Sequence, residues 1–182
     1  MIRTVLLDPP WMERGGGQCK RGADRHYDLM LTKDMPAEIL AMPCWHDLAE
    51  DCHMYMWVTN NFLEEGLWLI HQLQFKYKTN LVWIKDRFGL GRYFRGQHEL
   101  CLFATRGKGW NGRTANNSIS SVIEAKRGRH SAKPESLYEL IEHRSHGPYL
   151  EIFAREARTG WKSYGNELPD YIPIEKPQLR LF

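Results

Sequence analysis

Residues 4–11 have the sequence TVLLDPPW, an apolar and partly β-branched run that stops at Asp8-Pro9-Pro10-Trp11. Such a run is typical of a buried strand, and the prolines end it because each fixes its φ angle and lacks an amide N–H. In open α/β sheets, ligands bind beyond the carboxyl ends of the strands. We therefore expect Asp8 and the residues that follow it to lie at a binding site.

The rest of the chain alternates segments that favour strands with segments that favour helices. Further strands are predicted over residues 53–59, 78–85, 99–105, 118–124, 149–154 and 161–164. Helices are predicted from Pro36, after a cap at Asn61 with Glu64 in capping-box position, and over residues 134–143 with Pro134 at the first position. This alternation predicts an α/β domain of three layers with a largely parallel sheet.

Two segments lack a clear hydrophobic period. Residues 12–34 contain Gly15-Gly16-Gly17 and several cations, and a loop of this length is usually functional or disordered, so we expect it to be mobile. Residues 169–182 are rich in proline and are expected to form a poorly ordered tail. We therefore assign residues 1–168 to one domain.

Composition bounds the class of protein. The 182 residues include 25 Lys and Arg against 22 Asp and Glu, a formal net charge of +3 that does not by itself indicate a polyanionic partner. With 42% hydrophobic and 26% charged residues, the composition excludes wholesale disorder. No apolar run approaches the roughly 18 residues of a membrane span, and the N-terminal apolar stretch is short for a signal peptide. We expect a cytoplasmic protein without a membrane partner.

Cysteine and histidine spacing argues against a metal site. The four cysteines are Cys19, Cys44, Cys52 and Cys101. They form no CxxC pair, and although His46 and His53 lie near two of them, ligand pairs at zinc spacing are absent. We predict no metal site, and we expect buried free thiols.

The Asp8 motif suits one kind of chemistry. The Asp8 carboxylate and the Pro9 carbonyl form a rigid pair of acceptors, with Trp11 close by. Two acceptors can hold both protons of an exocyclic amino group, which favours a more tetrahedral and more nucleophilic nitrogen. Trp11 is then suited to stack on the face of a base. A common Asp-Pro turn with a surface Trp explains the same residues without chemistry.

Six motifs in order along the chain carry a resemblance to a known family. They are Asp8-Pro9-Pro10-Trp11, Tyr27, Arg95-Gly96-Gln97-His98-Glu99, His130-Ser131-Ala132-Lys133-Pro134, Glu151-Ile152-Phe153-Ala154-Arg155 and Gly165-Asn166-Glu167. On these motifs the chain resembles the DPPW-type N6-adenine methyltransferases, a family named for the seventy-kilodalton subunit of the messenger-RNA adenosine methyltransferase. The likeness extends from Thr4 to about Leu168.

The resemblance implies a fold, a cofactor and a set of site residues. It implies a Rossmann-like methyltransferase domain that uses S-adenosylmethionine, in a permuted order with the catalytic motif first. The implied catalytic residues are Asp8, Pro9, Pro10 and Trp11. The implied cofactor-binding residues are Asp8, Ser131, Lys133, Arg155, Asn166 and Glu167. The implied substrate-binding residues are Trp11, Tyr27, Arg95, His98 and Glu99.

The local sequence is compatible with these roles, and each has a simpler alternative. Lys133 directly precedes a predicted helix, whose N-terminus attracts anions such as the donor's carboxylate, but a solvated lysine explains it too. Arg155 ends a predicted strand near the implied ribose site, or it is a surface arginine paired with Glu156 or Glu151. Glu167 can accept from both ribose hydroxyls, whereas Asn166 also suits a plain polar turn.

Basic and aromatic residues favour nucleic acid as the substrate. Three basic loops are expected to border the pocket at Asp8. Their basic residues are Lys20, Arg21, Arg25, Arg106, Lys108, Arg113, Lys126, Arg127 and Arg129. Together with Tyr93, Phe94 and Trp110 they can contact phosphates and stack on bases, although solvated loops have the same composition. The resemblance to short bacterial and phage members favours DNA over RNA. A homodimer would supply further reading surface.

Two other functional classes remain open at this point. The resembled family includes degenerate members that bind nucleic acid beside an active partner, but Asp8, both prolines and Lys133 are present here, which favours an active enzyme. Small-molecule and protein-glutamine methyltransferases use related Asn-Pro-Pro turns, and Trp11 in place of a tyrosine argues against that class.

Overall fold

The computed structural model describes residues 1–12, 30–89, 91, 93–108, 118–128 and 132–169. Its regular elements are β1 (Ile2–Leu7), α1 (Met35–Ala41), β2 (Leu48–Val58), α2 (Leu63–Gln72), β3 (Lys76–Ile84), β4 (His98–Arg106), β5 (Val122–Glu124), α3 (Glu135–Arg144), β6 (Tyr149–Ile152) and β7 (Trp161–Tyr164). No helix in this described part is long and apolar enough to cross a bilayer. Most of the predicted mobile loop and nearly all of the predicted tail lie outside the described residues.

The seven strands form one sheet in the order β5-β3-β4-β2-β1-β6-β7. All neighbouring pairs are parallel except those of β4, which runs against both β2 and β3. The predicted α/β class with a largely parallel sheet is therefore confirmed. One consequence positions the site: the amino end of β4 lies at the same edge as the carboxyl ends of the six other strands. We call this the carboxyl edge.

Helices cover both faces of the sheet, because the central strands are apolar on both sides. Val5 and Leu7 of β1 pack in the same cluster as residues of α1 and α2. Leu6, which points the other way, packs in a second cluster with Leu137 and Ile141 of α3. Burying a side chain of this size contributes roughly 1.5–3 kcal/mol. Since side chains alternate along a strand, Asp8 continues the face of Leu6, toward α3.

Several element boundaries differ from the sequence-based expectation, since β2 begins at Leu48 instead of residue 53 and β5 at Val122 instead of residue 118. The capping box at Asn61 is wrong: residues Asn60–Phe62 form a short 3-10 helix, and α2 begins at Leu63 with no side-chain cap. Pro134 is extended, with ψ at 136°, and lies at the N-cap of α3, one residue before the predicted position. Strand β6 ends at Ile152 because Phe153 has a φ of +66°, which takes the chain out of the sheet.

The described cysteines are free thiols. Cys44, Cys52 and Cys101 are all buried, as expected, and burial raises the pKa of the Cys52 thiol to about 12. Cys19 lies outside the described residues. Among the described side chains, no group of three or more His, Cys, Asp or Glu is arranged to hold a metal ion.

Candidate active site

Five ionisable side chains meet at the carboxyl edge, on the face covered by α3. We call them the edge cluster, and its members are Asp8, Lys85, Glu99, Lys133 and Glu151. They come from β1, the end of β3, β4, the segment before α3 and β6, so they are distant in sequence. The sheet order explains the meeting, since each residue lies at or next to a strand end on the same edge, or beside the N-terminus of α3.

The centre of the edge cluster is an ion pair between Asp8 and Lys133. The Lys133 ammonium donates to Oδ1 at 2.9 Å and to Oδ2 at 2.8 Å. Burial tends to lower the pKa of Lys133, but the carboxylates of Asp8 and Glu99 outweigh it, so the pKa is raised. The structure thus joins a predicted catalytic residue to a predicted cofactor-binding residue. Lys133 is not the solvated lysine of the simpler alternative.

Glu99 extends this ion pair into a chain of alternating charge. Its carboxylate accepts a hydrogen bond from Lys85, and its Oε2 lies 3.9 Å from Nζ of Lys133. Because β4 is antiparallel, its second residue points into the carboxyl edge. The predicted substrate residue next to it, His98, is exposed and in register with Ile84. The structure brings Glu99 to the site, while contact of either residue with substrate stays a prediction.

Glu151 is a buried carboxyl that sequence reasoning considered only as a surface partner of Arg155, which lies near Glu167. Only 8% of it is exposed, and the Tyr138 hydroxyl donates to its Oε1 at 2.9 Å. Burial raises the pKa of Glu151 to about 7, the nearby charge of Asp8 adds to this effect, and the Tyr138 hydrogen bond opposes it. The signal was present in the sequence, because a glutamate inside the apolar run YLEIF of a buried strand must have a polar partner.

The backbone of the Asp8 motif is held on both sides. The Asp8 N–H donates to the carbonyl of Ile152 at 3.3 Å, which ties the motif to the end of β6. The Pro9 carbonyl accepts from the Trp11 N–H at 2.8 Å, and the Pro10 carbonyl accepts from Met30 at 3.1 Å. A carbonyl has two lone pairs, so Pro9 retains one for a further donor. Its role as an amino-group acceptor stays a prediction.

Trp11 is anchored in the core. It is 5% exposed, its indole N–H donates to the Trp57 carbonyl at 3.0 Å, and its ring stacks on Phe62 with centroids 5.6 Å apart. The alternative interpretation, in which Trp11 is a surface residue of an ordinary Asp-Pro turn, is therefore wrong. Stacking of Trp11 on a target base stays a prediction, and in this structure the ring contributes mainly packing.

A second group of predicted cofactor residues meets beside β7. Nε of Arg155 lies 3.7 Å from Oε1 of Glu167, and Asn166 between them in sequence is exposed. Gly165 allows this arrangement, because a Cβ there would lie 2.0 Å from the Ala154 carbonyl oxygen. The loops after β6 and β7 can therefore approach each other only if residue 165 has no side chain.

The remaining predicted residues divide between the described and the undescribed parts of the chain. Tyr27 and Ser131 lie outside the described residues. Arg95 is exposed, and its Nε–H donates to the Gly89 carbonyl at 2.6 Å. Tyr93 and Phe94 in the same loop are 90% and 89% exposed. That loop joins β3 to β4 at the carboxyl edge, so its rings lie on the side of the molecule where Asp8 is found.

The three basic loops do not all border the site. Lys126 and Arg127 follow β5 at the carboxyl edge, where the backbone N–H of Arg127 donates to the carboxylate of Asp86. Arg106 instead ends β4 at the opposite edge, about 25 Å away along the strand, where it packs over Phe75. Lys108 follows it there. The expectation that all three loops surround Asp8 is therefore wrong, because β4 is antiparallel. Lys20, Arg21, Arg25, Trp110, Arg113 and Arg129 lie outside the described residues.

Comparison with known proteins gives a consistent set of matches. The model of the MT-A70 family matches residues 2–167. The type II methyltransferase M.MunI from Mycoplasma sp is 34% identical over 183 residues, which cover 92% of this chain and 78% of that protein. A probable N(6)-adenosine-methyltransferase MT-A70-like protein from Oryza sativa is 30% identical over 179 residues, covering 91% of this chain. The human N(6)-adenosine-methyltransferase catalytic subunit METTL3 is 27% identical over 191 residues, covering 97%. This chain spans only 23% and 30% of those two longer proteins.

Proposed function

The chain belongs to the MT-A70 family of S-adenosylmethionine-dependent methyltransferases, and on that premise we propose that it methylates N6 of adenine in nucleic acid, with DNA as the polymer. The observation that carries the proposal is the Asp8-Pro9-Pro10-Trp11 turn at the carboxyl end of β1, next to the central strand β2, with Lys133 bound to Asp8. The bacterial relative M.MunI, named a type II methyltransferase, supports DNA. The names of the plant and human relatives keep RNA as the alternative polymer.

The residues at the carboxyl edge fit a methyl donor of this kind. S-adenosylmethionine has a carboxylate, an ammonium group, a sulfonium and two ribose hydroxyls. Lys133 offers a cation for the carboxylate, the carboxylates of the edge cluster suit the positive groups, and Glu167 suits the hydroxyls. The buried hydroxyls of Thr59 and Ser163, both at strand ends on this edge, have no hydrogen-bond partner among the described residues, as is expected of a site built for a polar ligand.

The chain's own residues would prepare the amino group and place it. S-adenosylmethionine supplies a methyl group on a positively charged sulfur, which makes that carbon electrophilic. The Asp8 carboxylate and the second lone pair of the Pro9 carbonyl would accept hydrogen bonds from the two N–H groups of the amino group, so its nitrogen lone pair would be directed away from the base plane. Fixed acceptors of this kind lower the barrier without reorganising during the reaction. Trp11 keeps the turn rigid through its bond to Trp57.

Exposed aromatic and basic residues on the same edge would hold the polymer. Tyr93 and Phe94 present free ring faces, and Arg95, Lys126 and Arg127 lie on loops of the same edge. Bases stack on such rings without regard to sequence, while the cations neutralise phosphates. In a duplex the adenine must leave the stack to reach Asp8. A homodimer would widen this surface, and we retain it as part of the proposal.

A labelled-methyl transfer assay tests the function. Purified protein is offered S-adenosylmethionine with matched single-stranded DNA, duplex DNA and RNA, and the digested product is examined for N6-methyladenine. We expect product with DNA, loss of product in Asp8→Ala, and normal product in Asp34→Ala, whose aspartate is exposed before α1. Full activity in Asp8→Ala would refute the mechanism. Donor binding without product on any polymer would point to a missing partner or an unmatched target sequence, whereas absence of both product and donor binding would favour the non-catalytic partner subunit.

A further inference from the structure

We infer that Glu151 is a proton switch of the donor site: it gives up its proton when the cationic methyl donor binds, and it thereby makes the site prefer the donor over the demethylated product. The inference rests on the proposed function, because it concerns the same site and the same donor. Its basis is the position of Glu151 within the edge cluster and the balance of charge there.

The sheet places Glu151 close to the reacting end of the site. In the parallel ladder between β1 and β6, Glu151 is in register with Leu6, so the two side chains leave the sheet on the same face. Asp8 continues that face two residues later, and Lys133 lies beside it. Glu151 is therefore a buried ionisable group next to the Asp8–Lys133 pair. The proposed methyl-transfer step gives Glu151 itself no part.

Each element packed around Glu151 contributes a group that affects its ionisation. These groups are Tyr138 of α3, Asp8 of β1, Lys133 before α3 and Arg158 after β6. Burial and the Asp8 carboxylate favour the protonated form, whereas Tyr138, Arg158 and Lys133 favour the charged form. From β7, Ser163 is in register with Glu151 and carries a buried hydroxyl without a partner in the described part of the chain. Because these effects oppose each other, the pKa of Glu151 is about 7, and the carboxyl is about half ionised at neutral pH.

The net charge of the edge cluster links the ionisation of Glu151 to the binding of a charged ligand. The edge cluster has three carboxyls and two ammonium groups, so it is net negative by one charge when Glu151 is ionised. The nearby arginines are each paired outside it, Arg155 with Glu167 and Arg158 with Glu135. S-adenosylmethionine has one net positive charge, and its demethylated product has none, because its sulfur is a neutral thioether. In a partly dry site this difference favours the donor only while Glu151 is charged.

The sign of the pH dependence follows by linkage. A bound cation stabilises ionised Glu151 and lowers its pKa below the value of about 7 in the free protein. Donor binding therefore releases protons, and donor affinity rises with pH up to the free-protein pKa and then stays constant. A shift of one unit in that pKa changes donor affinity about tenfold, and the neutral product produces a smaller change.

Calorimetry in buffers of different ionisation enthalpy measures the protons released. We expect the wild type near neutral pH to release a fraction of a proton on binding S-adenosylmethionine and less on binding S-adenosylhomocysteine. Glu151→Gln should release none, and its donor-to-product affinity ratio should stay constant between about pH 6 and about pH 8. Tyr138→Phe removes a hydrogen bond to the charged carboxylate. The pH range over which the donor-to-product affinity ratio rises should therefore move to higher pH. Glu139→Gln, an exposed carboxyl of α3, should match the wild type.

Two results would overturn the inference, and they differ in what else they affect. If both ligands bind and Glu151→Gln releases as many protons as the wild type, the inference fails and the proposed function stands. If neither ligand binds the folded wild type, both fail. The Tyr138→Phe shift keeps the inference falsifiable even if Glu151→Gln does not fold, because it leaves the carboxyl in place.

Discussion

Lys133 bridges both carboxylate oxygens of Asp8 across 125 positions of the chain, at 2.9 and 2.8 Å. Both side chains are mostly buried, so each charge depends on the other for the interactions that water would otherwise supply. A carboxylate of the methyl donor would compete with Asp8 for the same ammonium group. Before the donor arrives, these two charges are therefore satisfied by each other.

Lys133→Ala should lower the affinity for S-adenosylmethionine by about tenfold or more, since it removes a charge-assisted hydrogen bond. Titration calorimetry measures this directly. Lys133→Arg should retain part of the affinity, because the charge remains while the geometry changes. Lys162→Ala is a matched control, as that lysine pairs with Asp47 at an exposed site. Unchanged affinity in Lys133→Ala would remove this residue from the donor site.

Gly165→Ala should destabilise the protein by about 1–3 kcal/mol and weaken donor binding. The new methyl group would meet the backbone of Ala154, which has no flexible end that could move aside. Thermal unfolding and calorimetry measure the two effects.

Gly160→Ala separates crowding from backbone strain. Gly160 has a φ of +83° with open space around it, so an alanine there costs about 1 kcal/mol through conformation alone. Its donor affinity should stay normal. Wild-type stability and affinity in Gly165→Ala would show that the loops after β6 and β7 do not need their close approach.

Replacing Tyr93 and Phe94 together by alanine should weaken nucleic-acid binding by about 1–3 kcal/mol for each stacked base that is lost. Stability and donor affinity should not change, because both rings are almost fully exposed. Fluorescence anisotropy with a labelled oligonucleotide measures the loss, and Trp68→Ala on α2 controls for removal of an exposed ring. Unchanged binding together with reduced self-association would assign these rings to a protein interface.

The buried histidine of β2 predicts loss of stability in acid. Burial, aided by the charge of Arg144, lowers the pKa of His53 to about 4, and its Nδ1 lies 2.7 Å from Oγ of Ser145. Because the unfolded chain binds the proton more tightly, the contribution is complete above the ordinary pKa of about 6.5. As pH falls from there toward about 4, up to about 3 kcal/mol should be lost.

Denaturant unfolding across that pH range tests this prediction. His53→Gln should reduce the loss of stability in acid. His71→Gln, at an exposed position of α2, should leave that loss unchanged. An identical acid limb in His53→Gln would place the acid-sensitive group elsewhere.

The hydrophobic pattern was enough to predict the strands, and the prolines were enough to place Asp8 at a strand end. Local patterns do not encode direction, however, so the antiparallel course of β4 and the remote position of Arg106 were not foreseen. The partner of Lys133 and the burial of Glu151 depend on which strands become neighbours. Positions that depend on the local backbone were predictable, and contacts that depend on a distant side chain were not.

The position of β1 in the sheet also affects how the protein is made. β1 is synthesised before both of its neighbours, β2 and β6, and β6 is formed by residues as distant as 149–152. Contacts between such distant segments form slowly and only after both have been synthesised. Until then the side of β1 that pairs with β6 has no hydrogen-bond partner, and it can pair with strands of other chains. We therefore expect a nascent chain that already contains the whole Asp8 motif to lack the Asp8–Lys133 ion pair until residues 133–152 have been synthesised and folded.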